Sequence, residues 1–295
     1  MSGSEIDAVR ALLLEKPRPV GWQERRQRLD EVGAVWPVAD DVELASVDID
    51  GVRGEWSSVA GSDQNRVLLY FHGGGYCAGS ALSHRRMVTE AGRAGGLRTL
   101  ALEYRLAPEH PFPAALEDAT KAWHFLRQQG IAAEHIAVGG DSAGAGLTLA
   151  LMQSLRDAGQ PMPGCLWLIS PWADMTLTAA SLETKDAVDA LIHKPYLAEL
   201  IEAYVPAGLD CRDPLVSPLF ADFEGAPPML IQVGSAETLL DDAVGLARAA
   251  GAADARVTLE IWPHMIHAWQ LWNARLELGR RALASAAAFM RQHLG

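Results

Sequence analysis

The chain has 295 residues, 49% of them hydrophobic and 21% charged, enough apolar material to bury one large core, so intrinsic disorder is excluded as its main state. With 37 acidic against 25 basic residues the net charge is −12, and so negative a surface repels phosphate backbones and anionic lipid; no nucleic acid and no membrane are expected as partners. No stretch approaches the ~18 uninterrupted apolar residues of a membrane helix, Glu5, Asp7 and Arg10 break up any export signal, and Cys77, Cys165 and Cys211 suit neither a disulfide framework nor a zinc cage, which points to a reducing cytoplasm.

Residues 1–45 read as an N-terminal segment of their own, in which two amphipathic stretches, Ile6 to Leu14 and Gln23 to Val32, are interrupted by Pro17 and Pro19. Over 46–295 short apolar runs alternate with alanine-rich helical patterns, without internal repeats. Strands are expected at Val67–Phe71, Thr99–Leu102, His135–Val138, Leu166–Ile169, Met229–Val233 and Val257–Ile261. Helices are expected at Pro113–Gln129, Ser142–Asp157, Leu239–Ala250 and Leu276–His293. The strand runs are apolar throughout rather than alternating, which implies burial on both faces. Strand–helix alternation then argues for a parallel sheet with helices on both sides. Ser181–Val205 has helical spacing with its own polar face and reads as part of an insertion, about 178–207, packed over the sheet beside the N-terminal segment.

The sharpest local signal is Gly140-Asp141-Ser142-Ala143-Gly144, directly after one expected strand and directly before a helix. In that context G-x-S-x-G is a nucleophile elbow: the serine needs a tight turn to project from the sheet, and side chains at the flanking glycines would collide with neighbouring backbone. The second signal is His72-Gly73-Gly74-Gly75-Tyr76 after the Val67–Phe71 strand. Three consecutive glycines let backbone N–H groups approach a carbonyl oxygen as it becomes an oxyanion, and the Ala143 N–H at the positive end of a helix supplies a further donor.

A serine nucleophile needs a base, and His267, in Pro263-His264-Met265-Ile266-His267-Ala268 after the Val257–Ile261 strand, stands where one is expected, with His264 as the rival. The group orienting that base should follow the preceding strand, where Glu237, Asp241 and Asp242 are the candidates. His264 and His267 as a metal pair lack an evident third ligand, so no metal is expected there.

These residues, with Tyr104-Arg105-Leu106-Ala107-Pro108-Glu109-His110-Pro111-Phe112-Pro113-Ala114-Ala115-Leu116-Glu117-Asp118 and Ser170-Pro171-Trp172-Ala173-Asp174, resemble the bacterial hormone-sensitive-lipase-like carboxylesterases from about Val42 onward. The resemblance implies an α/β-hydrolase fold, with a mostly parallel eight-stranded sheet flanked by helices and a helical cap. It also implies cofactor-free hydrolysis of small to medium carboxylic esters. By resemblance the oxyanion donors map to Gly74, Gly75 and Ala143. Most members carry D-P-L-x-D at the acid; here the spacing gives Glu237-Thr238-Leu239-Leu240-Asp241, so glutamate holds that position.

In the long Tyr104–Asp118 run the prolines are expected to fix the chain path, and Arg105 to pair with Glu109. An apolar substrate pocket is expected from Tyr76, Trp172, Met175, Leu177, Leu191 within the Val188–Ile192 stretch, Met265 and Ile266. It suits a modest acyl chain or a lactone. Family analogy adds a possible homodimer through the last strand and helix. A non-enzymatic receptor on the same fold is the alternative, disfavoured by the histidine at 267.

Overall fold

In the computed structural model, which describes residues 2–15 and 17–295, the six apolar runs become the parallel part of an eight-stranded sheet. Met1 and Lys16, both in the N-terminal segment read from the sequence, lie outside the described residues. Two helices, α1 (Ser2–Leu14) and α2 (Trp22–Ala34), precede a hairpin of β1 (Val42–Ile49) and β2 (Val52–Val59). There follow β3 (Asp63–Phe71), α3 (Ala81–Gly95), β4 (Leu97–Glu103), α4 (Ala114–Gln128), β5 (Ile136–Asp141), α5 (Ala143–Asp157) and β6 (Cys165–Ile169). Two helices, α6 (Ser181–Thr184) and α7 (Lys194–Tyr204), come before β7 (Met229–Gly234), α8 (Leu240–Ala252), β8 (Val257–Trp262) and α9 (Glu277–His293).

The strand order is β1-β2-β4-β3-β5-β6-β7-β8, with the pairs from β3 and β4 to β8 parallel and those made by β2 antiparallel. Alternate residues of β3 feed two cores. Val67, Leu69 and Phe71 face α4, α5 and α8, whereas Leu68 and Tyr70 face α3 and α9. A third cluster joins Ile6 and Val9 of α1 to Met265, Ile266 and Trp269, so the first helix packs on the loop that carries His267.

Four elements differ from the sequence expectation. β8 is not buried on both faces: it is the last strand, Thr258 and Ile261 are exposed, and its other residues are only half-buried. β1 and β2 lack a continuous apolar run: β1 faces water on most of its length, β2 mixes buried with half-buried positions, and their hairpin turns through Asp50-Gly51, both at positive φ. α3 begins at a Ser80 capping box and ends at Gly96 in the left-handed region, local signals that a search for apolar runs passes over.

Candidate active site

β5 delivers Ser142 at the carboxyl edge of the sheet. Its backbone takes φ 55, ψ −120, a strained conformation held by the amide donating to the Ile169 carbonyl at 2.9 Å and by the start of α5 at Ala143. The flanking glycines are there for space: a Cβ on Gly144 would collide with the Phe71 and His72 carbonyl oxygens, and one on Gly140 with the backbone of Gly144. Ala143 is the first residue of α5, so its N–H has no intrahelical acceptor and lies at the positive end of the helix dipole.

The glycine loop after β3 is anchored from behind by Asp141, the neighbour of Ser142. Its Oδ1 accepts from the Gly73 amide at 2.9 Å and from the Tyr70 hydroxyl at 2.8 Å, while His84 Nε2 stands 3.2 Å from Oδ2. Burial alone would make the Asp141 carboxyl harder to ionise, but His84 and the Tyr70 hydroxyl outweigh it and hold it below the ordinary carboxylate range. Burial likewise opposes a charged His84, yet Asp141 carries it above its ordinary value. His72 goes the other way. Burial, with His84 beside it, lowers it to about 3, so it is neutral; its Nδ1 bonds the Gly73 carbonyl at 2.8 Å and its ring stacks on Tyr104 at 4.2 Å. Gly74 and Gly75 then turn at φ 114 and 65, and their amides donate to no backbone acceptor among the described residues.

Glu237 follows β7 and His267 follows β8. Glu237 is fully buried and Oε2 accepts from His267 Nδ1 at 2.8 Å, which leaves Nε2 as the nitrogen available to a hydroxyl. Oε1 accepts from the Ser170 hydroxyl at 2.8 Å and the Gly234 amide at 2.5 Å. Burial by itself depresses the His267 imidazole, but the Glu237 carboxylate, with Asp189 and Asp141 adding, raises it above its ordinary value. Ser142 and His267 keep 7% and 6% of their surface, so the serine and the imidazole remain reachable while the acid does not. The other acid candidates are engaged elsewhere: Asp241 Oδ2 accepts from the Ser181 amide at 2.8 Å, and Asp242 Oδ2 from the Ala173 and Asp174 amides at 2.8 and 3.0 Å. His264 sits in an exposed turn, its amide donating to Ser235 Oγ at 2.8 Å. No group of three or more metal-ligating side chains occurs among the described residues.

Ser170, whose part the sequence reading did not assign, is the hub of this arrangement. Its Oγ also accepts from the Ala268 amide at 3.1 Å, so one hydroxyl ties the end of β6 to the loops of Glu237 and His267. A positive φ of 42 is the backbone cost of that aim, which no pattern in Ser170-Pro171-Trp172 announces. The proposed Arg105–Glu109 pair is a correction. Arg105 instead grips the buried Asp118 at 2.8 Å and Glu117 at 2.8 Å, and Glu109 pairs with Arg26 of α2 at 2.6 Å. Asp118 wins because it also accepts from the Arg105 amide at 2.9 Å, completing a bidentate geometry that Glu109 does not offer.

Of the expected pocket residues, Tyr76, Trp172, Met175, Met265 and Ile266 are buried and Leu177 and Leu191 are half-buried. Tyr76 stacks on Tyr204 of α7 at 3.8 Å, and the side chain of Leu200 from the same helix lies directly against Gly75, where a Cβ would strike it. A separate open cavity of about 600 Å³ lies between α1 (Arg10, Leu14), the stretch between α6 and α7 (Lys185, Val188) and the loop before Glu237 (Ser235, Ala236).

A strained serine, an imidazole held by a buried carboxylate and unused amides at a glycine turn make up an arrangement suited to acyl transfer. Comparison with known proteins bears on the family. The family model described as "alpha/beta hydrolase fold" matches residues 68–271. The chain is similar to an acetyl-hydrolase of Streptomyces hygroscopicus, 41% identical with 100% of this chain and 99% of that protein covered. It is similar to an esterase of Acinetobacter venetianus, 36% identical over 90% of this chain and 87% of the relative. Among solved structures it is similar to an esterase from the bacterial hormone-sensitive lipase family, with a TM-score of 0.95, 39% identity and 99% of both chains covered.

Proposed function

This chain belongs to the alpha/beta hydrolase family, among its bacterial hormone-sensitive-lipase-like carboxylesterases, and from that premise we propose that Ser142, His267 and Glu237 hydrolyse carboxylic esters through a covalent acyl-enzyme. The observation that carries this reading is the 2.8 Å bond from His267 Nδ1 to Glu237 Oε2, because it fixes the tautomer that leaves Nε2 able to take a proton.

Ser142 Oγ attacks the ester carbonyl as His267 takes its proton, then gives that proton to the departing alcohol. The Gly74, Gly75 and Ala143 amides receive the oxyanion, each such donor being worth about 2.7–4 kcal/mol. Water resolves the acyl-enzyme by the same steps in reverse roles. Glu237 stabilises the imidazolium without itself taking the proton.

Small acyl groups suit the site best, since Leu200, Tyr76 and Tyr204 crowd the glycine turn, and the Streptomyces relative is named an acetyl-hydrolase. The N-terminal helices and the stretch about 178–207 serve as the cap in this reading; the Arg25–Glu199 pair at 2.9 Å, joining α2 to α7, supports it. A homodimer through β8 and α9 is supported by the unpaired edge of β8. A reducing, cytoplasmic setting is supported by three free cysteines. Among the described residues no helix is long and apolar enough to cross a membrane.

The test is a panel of acetate-to-decanoate esters and lactones with the wild type and S142A. Turnover is expected to fall off beyond short acyl chains and to drop about a million-fold in S142A with the fold intact. Retention of a tenth of the activity by S142A rejects the nucleophile; a preference for lactones over every linear ester replaces the substrate class.

A further inference from the structure

Asp189 sits in the loop between α6 and α7, far in sequence from any residue assigned a chemical part, yet it is only 4% exposed. Burying a carboxylate is costly unless its charge is met. No basic side chain pairs with it among the described residues; four neutral donors do so instead. Oδ1 accepts from its own loop, the Leu191 and Ile192 amides at 2.8 and 2.9 Å. Oδ2 reaches across to Thr238, accepting from its amide at 2.7 Å, with the hydroxyl at 3.1 Å.

Thr238 is the residue immediately after Glu237, and its remaining polar group goes to the same stretch of chain. Its carbonyl accepts from the Ser181 hydroxyl at 2.6 Å. Ser181 adds a reciprocal pair with Asp241, three residues further on, at 2.8 and 3.1 Å. Every backbone polar group of Thr238 is therefore held by the inserted stretch rather than by the sheet. All four partners of Asp189 are uncharged, and Asp189 is among the groups that raise the His267 imidazole.

We propose that Asp189 is a positioning residue of the esterase reaction: it clamps Thr238 so that the adjoining Glu237 carboxylate stays aligned on His267. The inserted stretch would then set the competence of the acid–base pair as well as roofing it. The inference rests on the Ser142–His267–Glu237 reading above. The charged groups acting on His267 are Glu237 from the loop after β7, Asp189 from the inserted stretch and Asp141 at the end of β5. Losing the Asp189 charge therefore moves the acidic limb of kcat/KM to lower pH.

The experiment is steady-state hydrolysis of p-nitrophenyl acetate across about pH 5 to 9 by D189N, T238V, D186N and E237Q, with the His267 Nδ1 proton followed by NMR. A small misalignment of a reacting pair costs up to about 100-fold, so D189N should lose about 10- to 100-fold in kcat with KM little changed, a lower-pH acidic limb and a shifted Nδ1 resonance. T238V keeps the amide and the charge and should lose less, with the limb in place. D186N, which removes an exposed charge from the same stretch, should match the wild type. A folded D189N with wild-type kcat and acidic limb overturns the proposal; if D189N does not fold, a T238V enzyme with wild-type kcat and Nδ1 resonance overturns it. An unimpaired E237Q would bring down the acid assignment and the clamp together, whereas a crippled E237Q beside an unaffected D189N removes the clamp alone.

Discussion

The Ser170 hydroxyl donates to Glu237 Oε1 at 2.8 Å, and both side chains are wholly buried. The bond divides the carboxylate: one oxygen is held by Ser170 and the Gly234 amide, so the other is presented to His267. In S170A the hydrogen bond to a buried charge is lost and the Ala268 amide loses its acceptor. The expected cost is about 1–3 kcal/mol of stability, read from denaturant midpoints, together with a fall in kcat larger than any change in KM.

Glu237 and Asp241 are separable by substitution. E237Q should lower kcat on the order of 10⁴-fold, as expected when the group fixing the base's tautomer is neutralised. D241N retains an oxygen able to accept from the Ser181 amide and should cost less than tenfold. Single-turnover rates on one chromogenic ester compare the two, and the reverse order would reassign the acid.

His267 must be neutral to accept the Ser142 proton. Burial lowers its pKa, but Glu237, Asp189 and Asp141 together hold it above the ordinary 6.5. The kcat/KM profile should therefore rise with pH through an apparent value higher than 6.5. For stability the sign is opposite. A histidine raised in the folded state contributes fully below its unfolded pKa, and the contribution is lost as pH rises through the folded one. Activity should thus grow over the range in which this pair's contribution to Tm fades, which paired rate and melting profiles of the wild type and E237Q would register.

Asp242 predicts a second pH effect. Burial raises its carboxyl from 3.8 to about 7; the Ala173 and Asp174 amides offset part of this, and Asp174 and Asp241 push it further up. The folded state then keeps a proton that the unfolded chain has released, so stability falls as pH rises between about 4 and about 7. D242N cannot titrate. The difference in unfolding free energy between wild type and D242N should decline across that window by on the order of 4 kcal/mol and be flat above it. Urea melts at several pH values measure this, and a difference independent of pH would refute it.

What could be read in advance divides along physical lines. The six apolar runs, the elbow and the glycine loop are local: a buried parallel strand needs continuous hydrophobic residues, and a tight turn needs glycine wherever backbone passes close by, as the carbonyls of Phe71 and His72 do at Gly144. The β1–β2 hairpin was less legible because β1 faces water on most of its length and β2 carries no continuous apolar run. For Arg105 the sequence pointed to Glu109, and only the buried, doubly bonded geometry of Asp118 shows where the guanidinium goes instead.

By itself the amino-acid sequence determined the strand–turn–helix order and the chemical kinds of group presented after strands β5, β7 and β8, because those depend on residues adjacent in the chain. Tertiary structure alone decided how the groups are held. Ser170 meets Glu237 across 67 positions, Asp189 meets Thr238 across 49, and α1 rests on the His267 loop. Such contacts are set by strand order, by a positive φ at one serine and by the path of the chain between β6 and β7, none of which leaves a periodic trace in the sequence.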